Sequence, residues 1–162
     1  KDVHNIIIWG NHSKSQYPDI AKAYVMKDGK KHSVADAVGD MGYLHGDFIS
    51  TVQQRGAAVI EARGASSALS AANAALDHLR TWLVTGTAPG QFTSMGIYSQ
   101  GHYGIAKDIV FSFPLTCANG EYKVVEGMEI TDFARGKLNA TQEELLQEAS
   151  DADEILSGTS KM

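Results

Sequence analysis

The sequence lacks the features that mark several large classes of protein. One cysteine, Cys117, excludes an internal disulfide and is typical of a reducing compartment. No apolar run approaches the roughly 20 residues that a membrane-spanning helix needs, so no membrane partner is predicted. The net charge of −5 argues against a nucleic acid or an anionic membrane surface as the partner.

Motifs that bind phosphates or metals are also missing from the sequence. No Gly-x-Gly-x-x-Gly follows a strand and no Gly-Lys-Ser/Thr loop occurs, so no cofactor-binding residue is predicted by motif. No metal site is predicted, because five of the six histidines are scattered along the chain: His12, His32, His45, His78 and His102. A Ser-His-Asp arrangement stays open, although the sequence shows no nucleophile elbow.

The first part of the chain predicts short strands and loops. Residues 6–9 are apolar and rich in β-branched side chains, which predicts a buried strand. Residues 11–19 are polar and contain a proline, which predicts a loop. Residues 21–26 predict a second short strand, and a turn is expected at residues 27–30.

Helical periodicity is found in three places. Residues 47–62 repeat apolar side chains at helical spacing, with Gly56 as a candidate kink or break. Residues 65–84 carry a continuous apolar stripe and predict the clearest helix. Near the end of the chain, Thr141 and Glu144 form a capping box, which predicts that the last helix begins there.

In residues 92–128 apolar and polar side chains alternate with a period of two, which predicts three strands. A turn at Asn119 is expected to join the last two as a hairpin, and Pro114 predicts an edge or a bulge in the middle strand. With 43% hydrophobic residues in 162, the chain is long enough for a sizeable core. The expected fold is therefore α+β, with a mainly antiparallel sheet packed with long helices in one domain, residues 1–162.

The helix predicted over residues 65–84 is rich in Ala and Ser in its first half. Small side chains allow another backbone to approach closely. Two interpretations remain open at this point: tight packing inside the chain, or contact with another subunit.

His12 is the best single candidate for chemistry. It follows directly after a predicted buried strand, and loops at strand ends often hold functional side chains. An imidazole there can exchange a proton near neutral pH. The alternative is a histidine that caps the strand or faces water. A catalytic imidazole usually needs a carboxylate partner, and the nearest in sequence, Asp19, lies beyond Pro18.

Long segments of the chain resemble the malate dehydrogenases of the cytosolic type, in the lactate/malate dehydrogenase superfamily. The matching segments keep their order and spacing over nearly the whole chain: IIIWGNHSKSQYPD, FISTVQQRGAAVIEARGASSALSAANAALDHLRTWL, FTSMGIYS, DIVFSFPLTCANGEYKVVEG and ITDFARGKLNATQEEL. Members of this family begin with a nucleotide-binding Rossmann half. The resemblance therefore implies that this chain is only the second, substrate-binding half, cut from a longer protein.

The resemblance also implies roles for particular residues. His12 corresponds to the catalytic histidine, which takes the proton of the malate hydroxyl while hydride passes to NAD, and protonates oxaloacetate in the reverse direction. Ser66 corresponds to a serine on the floor of the substrate pocket, with Ser67 as its neighbour. The alternative is that Ser66 is only a helix N-cap.

Other expectations concern what lies outside this chain. The carboxylate partner of the histidine and the arginines that clamp the substrate carboxylates belong to the missing half in this family, and none of the four arginines here matches them. NAD is expected in the full-length enzyme but not on this chain alone. A homodimer and a cytoplasmic location are expected. The C-terminal Ser-Lys-Met resembles a peroxisomal signal, which gives a peroxisome or glycosome-like organelle as the alternative.

Two other functions remain open. The first is a related enzyme with another 2-oxo acid, such as a lactate dehydrogenase, since the specificity-determining arginine is expected in the missing half. The second is a non-catalytic interaction domain that keeps the fold without the chemistry.

Overall fold

A buried antiparallel hairpin leads into the His12 loop and returns from it. The structure is a computed structural model that describes residues 3–158. Strand β2 (Ile7–Trp9) pairs with β3 (Tyr17–Asp19). The prediction that residues 11–19 form a loop throughout is therefore wrong for β3. A long-range bond explains this, because the Trp9 indole N–H donates to the buried Asp19 carboxylate at 3.0 Å.

A small sheet forms beside this hairpin. Its order is β1-β4-β5, with β1 at Val3–His4, β4 at Tyr24–Lys27 and β5 at Lys30–Ser33. The predicted turn at residues 27–30 is confirmed, since Asp28 and Gly29 both have positive φ there. The predicted strand over residues 21–26 starts later, at Tyr24.

The main sheet is the three-stranded meander predicted from the period of two. It contains β6 (Thr93–Tyr98), β7 (Val110–Ala118) and β8 (Glu121–Val124), all antiparallel and in that order. The hairpin turn is confirmed, with Asn119 at φ 54° and Gly120 at φ 81°. The antiparallel sheets and the helices together confirm the predicted α+β class.

Pro114 lies in the central strand with an unbroken register, so the prediction of an edge or a bulge is wrong. Its carbonyl accepts a hydrogen bond at 2.9 Å from the N–H of Val125, the residue that follows β8. In an antiparallel ladder the nitrogen and carbonyl of one residue point to the same neighbour. The missing N–H of Pro114 therefore falls where the pairing with β8 ends, and the ladder tolerates it.

The helices lie around these sheets. Two short helices, α1 (Val34–Val38) and α2 (Met41–His45), precede α3 (Asp47–Arg63). Helix α3 runs through Gly56 without a break, and its C-cap is Gly64, which has a φ of 72°. Helix α4 (Ala68–Arg80) confirms the clearest predicted helix and continues into a π-helical turn, Thr81–Thr85. A single 3₁₀ turn, His102–Gly104, follows β6.

The last helix begins earlier than its sequence predicts. Helix α5 is Asp132–Leu156, and its N-cap is Thr131, whose hydroxyl accepts from the Ala134 N–H at 3.2 Å. The predicted capping box at Thr141 is therefore wrong. Thr141 lies in the helix interior with no exposed surface, because its side chain faces the start of the chain rather than a free helix end.

One hydrophobic core joins the hairpin, the main sheet and α5. Its fully buried members include Ile7, Trp9, Phe111, Phe113, Leu115 and Leu138. The hairpin is fixed to β7 by a bridge in which Gly10 and Ser112 exchange backbone hydrogen bonds of 3.2 and 3.0 Å. Within residues 3–158, no helix combines the length and the apolar character needed to cross a membrane.

Helix α4 keeps its apolar stripe open. None of its residues is buried among the described residues, and Leu69 and Leu76 are 81% and 66% exposed. The tight packing inside the chain that the small residues allowed is thus absent from residues 3–158. A continuous apolar face of this kind is typical of a surface that another polypeptide covers.

The closest approach between the hairpin and α5 is at Gly10. A Cβ atom added there would lie 2.3 Å from two side-chain atoms of Thr141, and the φ of Gly10 is +90°. Both facts require glycine, because other residues rarely adopt this conformation and no side chain fits the gap.

Gly10→Ala is therefore expected to lower the free energy of unfolding by about 2 to 5 kcal/mol, from backbone strain together with overpacking. Gly29→Ala is the matched control, since Gly29 has a φ of +73° with open space around it and should lose only about 1 to 2 kcal/mol. Urea unfolding measures both losses. Equal losses in the two variants would show that the contact with Thr141 is unimportant.

Candidate active site

His12 lies at the rim of a cleft of about 490 Å³ where β2 ends. The side chain is exposed, two residues after the bridge that fixes Gly10 to β7. The cleft is formed by the His12 loop, by β6 and β7 of the main sheet, and by α4. Its polar lining consists of Asn11, His12, Gln16, His78, Ser94 and Ser112.

Two serines of the main sheet hold the strand that leads to His12. The Ser94 hydroxyl accepts from the Ile8 N–H at 2.9 Å, and the Ser112 hydroxyl donates to the Ile8 carbonyl at 2.6 Å. The backbone groups of Ile8 that face β6 and β7 are thus paired with side chains instead of a strand. The end of β2 is thereby fixed, and the start of the His12 loop with it.

Side chains of α5 hold the loop from the other side. The Thr141 hydroxyl accepts from the Asn11 N–H at 2.9 Å, and Glu144 accepts from the Ser13 hydroxyl at 2.7 Å. The Ser15 hydroxyl contacts both the Thr141 hydroxyl, at 2.8 Å, and the Glu144 carboxylate. The residues on both sides of His12 are therefore bound to α5.

The imidazole of His12 itself has no hydrogen-bond partner among residues 3–158. The arginines lie elsewhere: Arg63 donates to the Ser66 carbonyl at 3.2 Å, Arg80 lines a groove on α4, and Arg55 and Arg135 lie outside the cleft. The cleft thus offers an imidazole that can exchange a proton. The described part of the chain adds no carboxylate to orient this ring and no guanidinium to bind an anionic substrate beside it.

Ser66 and Ser67 lie in the segment between α3 and α4. Ser66 is exposed, whereas Ser67 is half-buried and is the N-cap of α4, although its side chain makes no capping hydrogen bond. The N-cap alternative for Ser66 is therefore wrong by one residue. Neither serine lines the cleft at His12, so the described residues do not bring the predicted site residues together.

His78 is a candidate that the sequence interpretation missed. It is half-buried on α4 and lines both the His12 cleft and an adjoining pocket of about 240 Å³ beside Trp82. A signal existed in the sequence, since His78 falls at helical spacing from Ala75 and Trp82 within the apolar stripe of α4.

The sole cysteine is no candidate for a nucleophile. Cys117 lies on β7 with 3% of its surface exposed, and this burial raises the pKa of its thiol. A buried, protonated thiol is unreactive. Among the described residues, no group of three or more His, Cys, Asp or Glu side chains is placed to hold a metal ion.

Comparison with known proteins identifies relatives along nearly the whole chain. The chain is 54% identical over 156 residues to the cytoplasmic malate dehydrogenase of Medicago sativa, covering 96% of this chain and 47% of that protein. It is 51% identical to the probable malate dehydrogenase 3 of Dictyostelium discoideum, covering 97% and 47%. The chain thus spans about half the length of the curated relatives that it matches.

Solved structures share the fold. The lactate dehydrogenase of Trichomonas vaginalis, in complex with NADH and oxamate, matches with a TM-score of 0.90 and 40% identity over 97% of this chain and 48% of that one. The malate dehydrogenase of Naegleria fowleri matches with a TM-score of 0.82 and 41% identity, over 92% and 44%.

The family of lactate/malate dehydrogenase α/β C-terminal domains matches residues 1–155. The family match, the sequence identities and the shared fold agree. The chain belongs to the lactate/malate dehydrogenase family and corresponds to its C-terminal half.

Proposed function

We propose that this chain is the substrate-side half of an NAD-dependent malate dehydrogenase, which interconverts malate and oxaloacetate in the cytoplasm. The observation that carries the proposal is His12, an exposed imidazole at the rim of a cleft and on a loop fixed from both sides. Relatives named malate dehydrogenase, several of them cytoplasmic, support the substrate and the location.

In this proposal His12 moves one proton. As a base, its neutral imidazole takes the proton of the malate hydroxyl, so that the oxygen gains the electron density needed to expel hydride from its carbon. In the other direction, the imidazolium donates that proton to the carbonyl oxygen of oxaloacetate. A bound nicotinamide cofactor would supply the hydride chemistry, as NAD when malate is oxidised and as NADH when oxaloacetate is reduced.

The residues of this chain do not by themselves fit a dinucleotide. The sequence has no glycine-rich phosphate loop, and the described residues at the His12 cleft add no arginine. We therefore assign NAD binding, the carboxylate partner of His12 and the arginines for the substrate to the Rossmann half. The chain alone is expected to bind no NADH and to catalyse nothing.

Residues 1–162 form a single substrate-binding domain in this proposal. The apolar face of α4, which is exposed in this chain, is covered in the whole protein. The open apolar face of α4 supports a covering polypeptide, which is either the Rossmann half or the second subunit of a homodimer. The peroxisomal alternative depends on Ser160-Lys161-Met162, which lie outside the described residues.

A lactate-type dehydrogenase is the second candidate, favoured by the match to the Trichomonas enzyme. The two differ in the substrate rather than in the proton step. The test is the kcat/KM of the whole enzyme for oxaloacetate and for pyruvate, with NADH. We expect kcat/KM to be at least about 100-fold higher for oxaloacetate, because its second carboxylate, which pyruvate lacks, forms charge-assisted hydrogen bonds in the site. A preference for pyruvate would instead establish the lactate-type function.

His12→Asn in the whole protein is expected to reduce kcat at least ~100-fold, the lower end of general acid-base effects, and to leave NADH binding nearly unchanged. His32→Asn is the matched control, because His32 is an exposed histidine on β5 that does not line the cleft. Steady-state kinetics and NADH titration provide the readouts. Near-normal turnover of His12→Asn would remove His12 from the mechanism.

Ser66→Ala in the whole protein is expected to raise the KM for oxaloacetate more than it lowers kcat, because it removes a hydrogen bond of ground-state binding. The cost is about 0.5 to 1.5 kcal/mol, which is the net contribution of one hydrogen bond. Ser67→Ala provides the comparison, since Ser67 occupies the N-cap position of α4 without a capping hydrogen bond from its side chain. If Ser66→Ala changes only the melting temperature, Ser66 does not contact the substrate.

A further inference from the structure

Helix α5 holds the two sides of the His12 loop while His12 itself stays free. The Asn11 N–H donates to Thr141, and the Ser13 hydroxyl donates to Glu144. His12, between them, has an exposed side chain and makes no hydrogen bond within residues 3–158. The contacts on both sides therefore fix the backbone of His12, and with it the point from which the imidazole extends.

Thr141 is the fixed point of this contact. It has no exposed surface, and its single hydroxyl oxygen accepts from the Asn11 N–H at 2.9 Å and contacts the Ser15 hydroxyl at 2.8 Å. Its side chain also fills the space opposite Gly10, where a Cβ atom would clash. One side chain thus contacts the loop before His12 by packing and on both sides of it by hydrogen bonds.

Glu144, one helical turn further along α5, gathers the rest of the loop. Its carboxylate accepts from the hydroxyls of Ser13 and Ser15, which also contact each other at 2.9 Å. Hydrogen bonds to a charged acceptor are about twice as strong as neutral ones. The loop after His12 is therefore tied to the same face of the same helix.

We infer that Thr141 and Glu144 are positioning residues for the proton transfer by His12. This inference rests on the proposed function of His12. A catalytic group has to be held within about 0.5 Å of its productive position, and a displacement of 1 Å costs roughly 100-fold in rate. The two residues touch no substrate in this account. They act by fixing the backbone of Asn11 and Ser13.

Two substitutions of Thr141 separate positioning from packing. Thr141→Val keeps the shape opposite Gly10 but removes the acceptor, whereas Thr141→Ser keeps the hydroxyl and removes the methyl group. In the whole enzyme, Thr141→Val should lower kcat roughly 10- to 100-fold, with changes of under about threefold in NADH affinity and in the KM of the 2-oxo acid. Thr141→Ser should keep kcat within about threefold. Unchanged kcat in Thr141→Val would overturn the inference.

A second pair of variants tests the carboxylate. Glu144→Leu removes the acceptor of the two serine hydroxyls, and Glu143→Leu is the matched control at the neighbouring, exposed position. We expect kcat to fall roughly tenfold in Glu144→Leu and to stay unchanged in Glu143→Leu. Equal kcat values in these two variants would exclude Glu144 from the positioning role.

Amide hydrogen exchange separates failure of this inference from failure of the proposed function. Without substrate, the Asn11 N–H should exchange at least about tenfold faster in Thr141→Val and at the normal rate in Thr141→Ser. Unchanged protection in Thr141→Val overturns the inference whatever the enzyme catalyses. A different result is faster exchange of the Asn11 N–H in Thr141→Val together with full turnover of His12→Asn. It would overturn the proposed function of His12, and with it the role of Thr141 in the reaction.

Discussion

The contact of Gly10 with Thr141 is the constraint on which the His12 site depends. It brings the end of β2, near the start of the chain, against the middle of α5, some 130 residues later. On its other side Gly10 is bridged to Ser112 of the main sheet. The hairpin is thus held between the sheet and the helix, and its tip places His12 at the rim of the cleft. A residue that touches no substrate therefore helps to determine where the imidazole lies.

Features set by local pattern could be predicted from the sequence. The alternation of apolar and polar side chains predicted the three strands of the main sheet, and the apolar stripe predicted α4. The errors occurred where a distant contact decided the outcome. Strand β3 depends on the indole of Trp9 binding Asp19, which no local signal reveals. Thr141 had the spacing of a helix cap, yet its hydroxyl serves the Asn11 N–H across the fold, and the helix begins at Asp132 instead.

The candidate site was predictable only in part for a similar reason. His12 stands out because it follows a buried strand, and the family resemblance adds a role to that position. The other polar residues of the cleft, such as His78 and Ser94, meet His12 only through the pairing of strands and the packing of α4. Ser66 and Ser67 lie outside this cleft. An open apolar face on α4 agrees with a chain that spans about half the length of its relatives and, in the proposed function, with a site completed by the rest of the protein.

The central claim is that His12 exchanges its proton with the substrate oxygen. The most direct measurement is a crystal structure of the whole protein with NADH and a non-reactive 2-oxo acid analogue. We predict an imidazole nitrogen of His12 at about 2.6 to 3.2 Å from the analogue's keto oxygen, with the Asn11 N–H still bound to Thr141. An analogue bound beside the nicotinamide, with its keto oxygen held by another side chain and His12 turned to solvent, would contradict the claim.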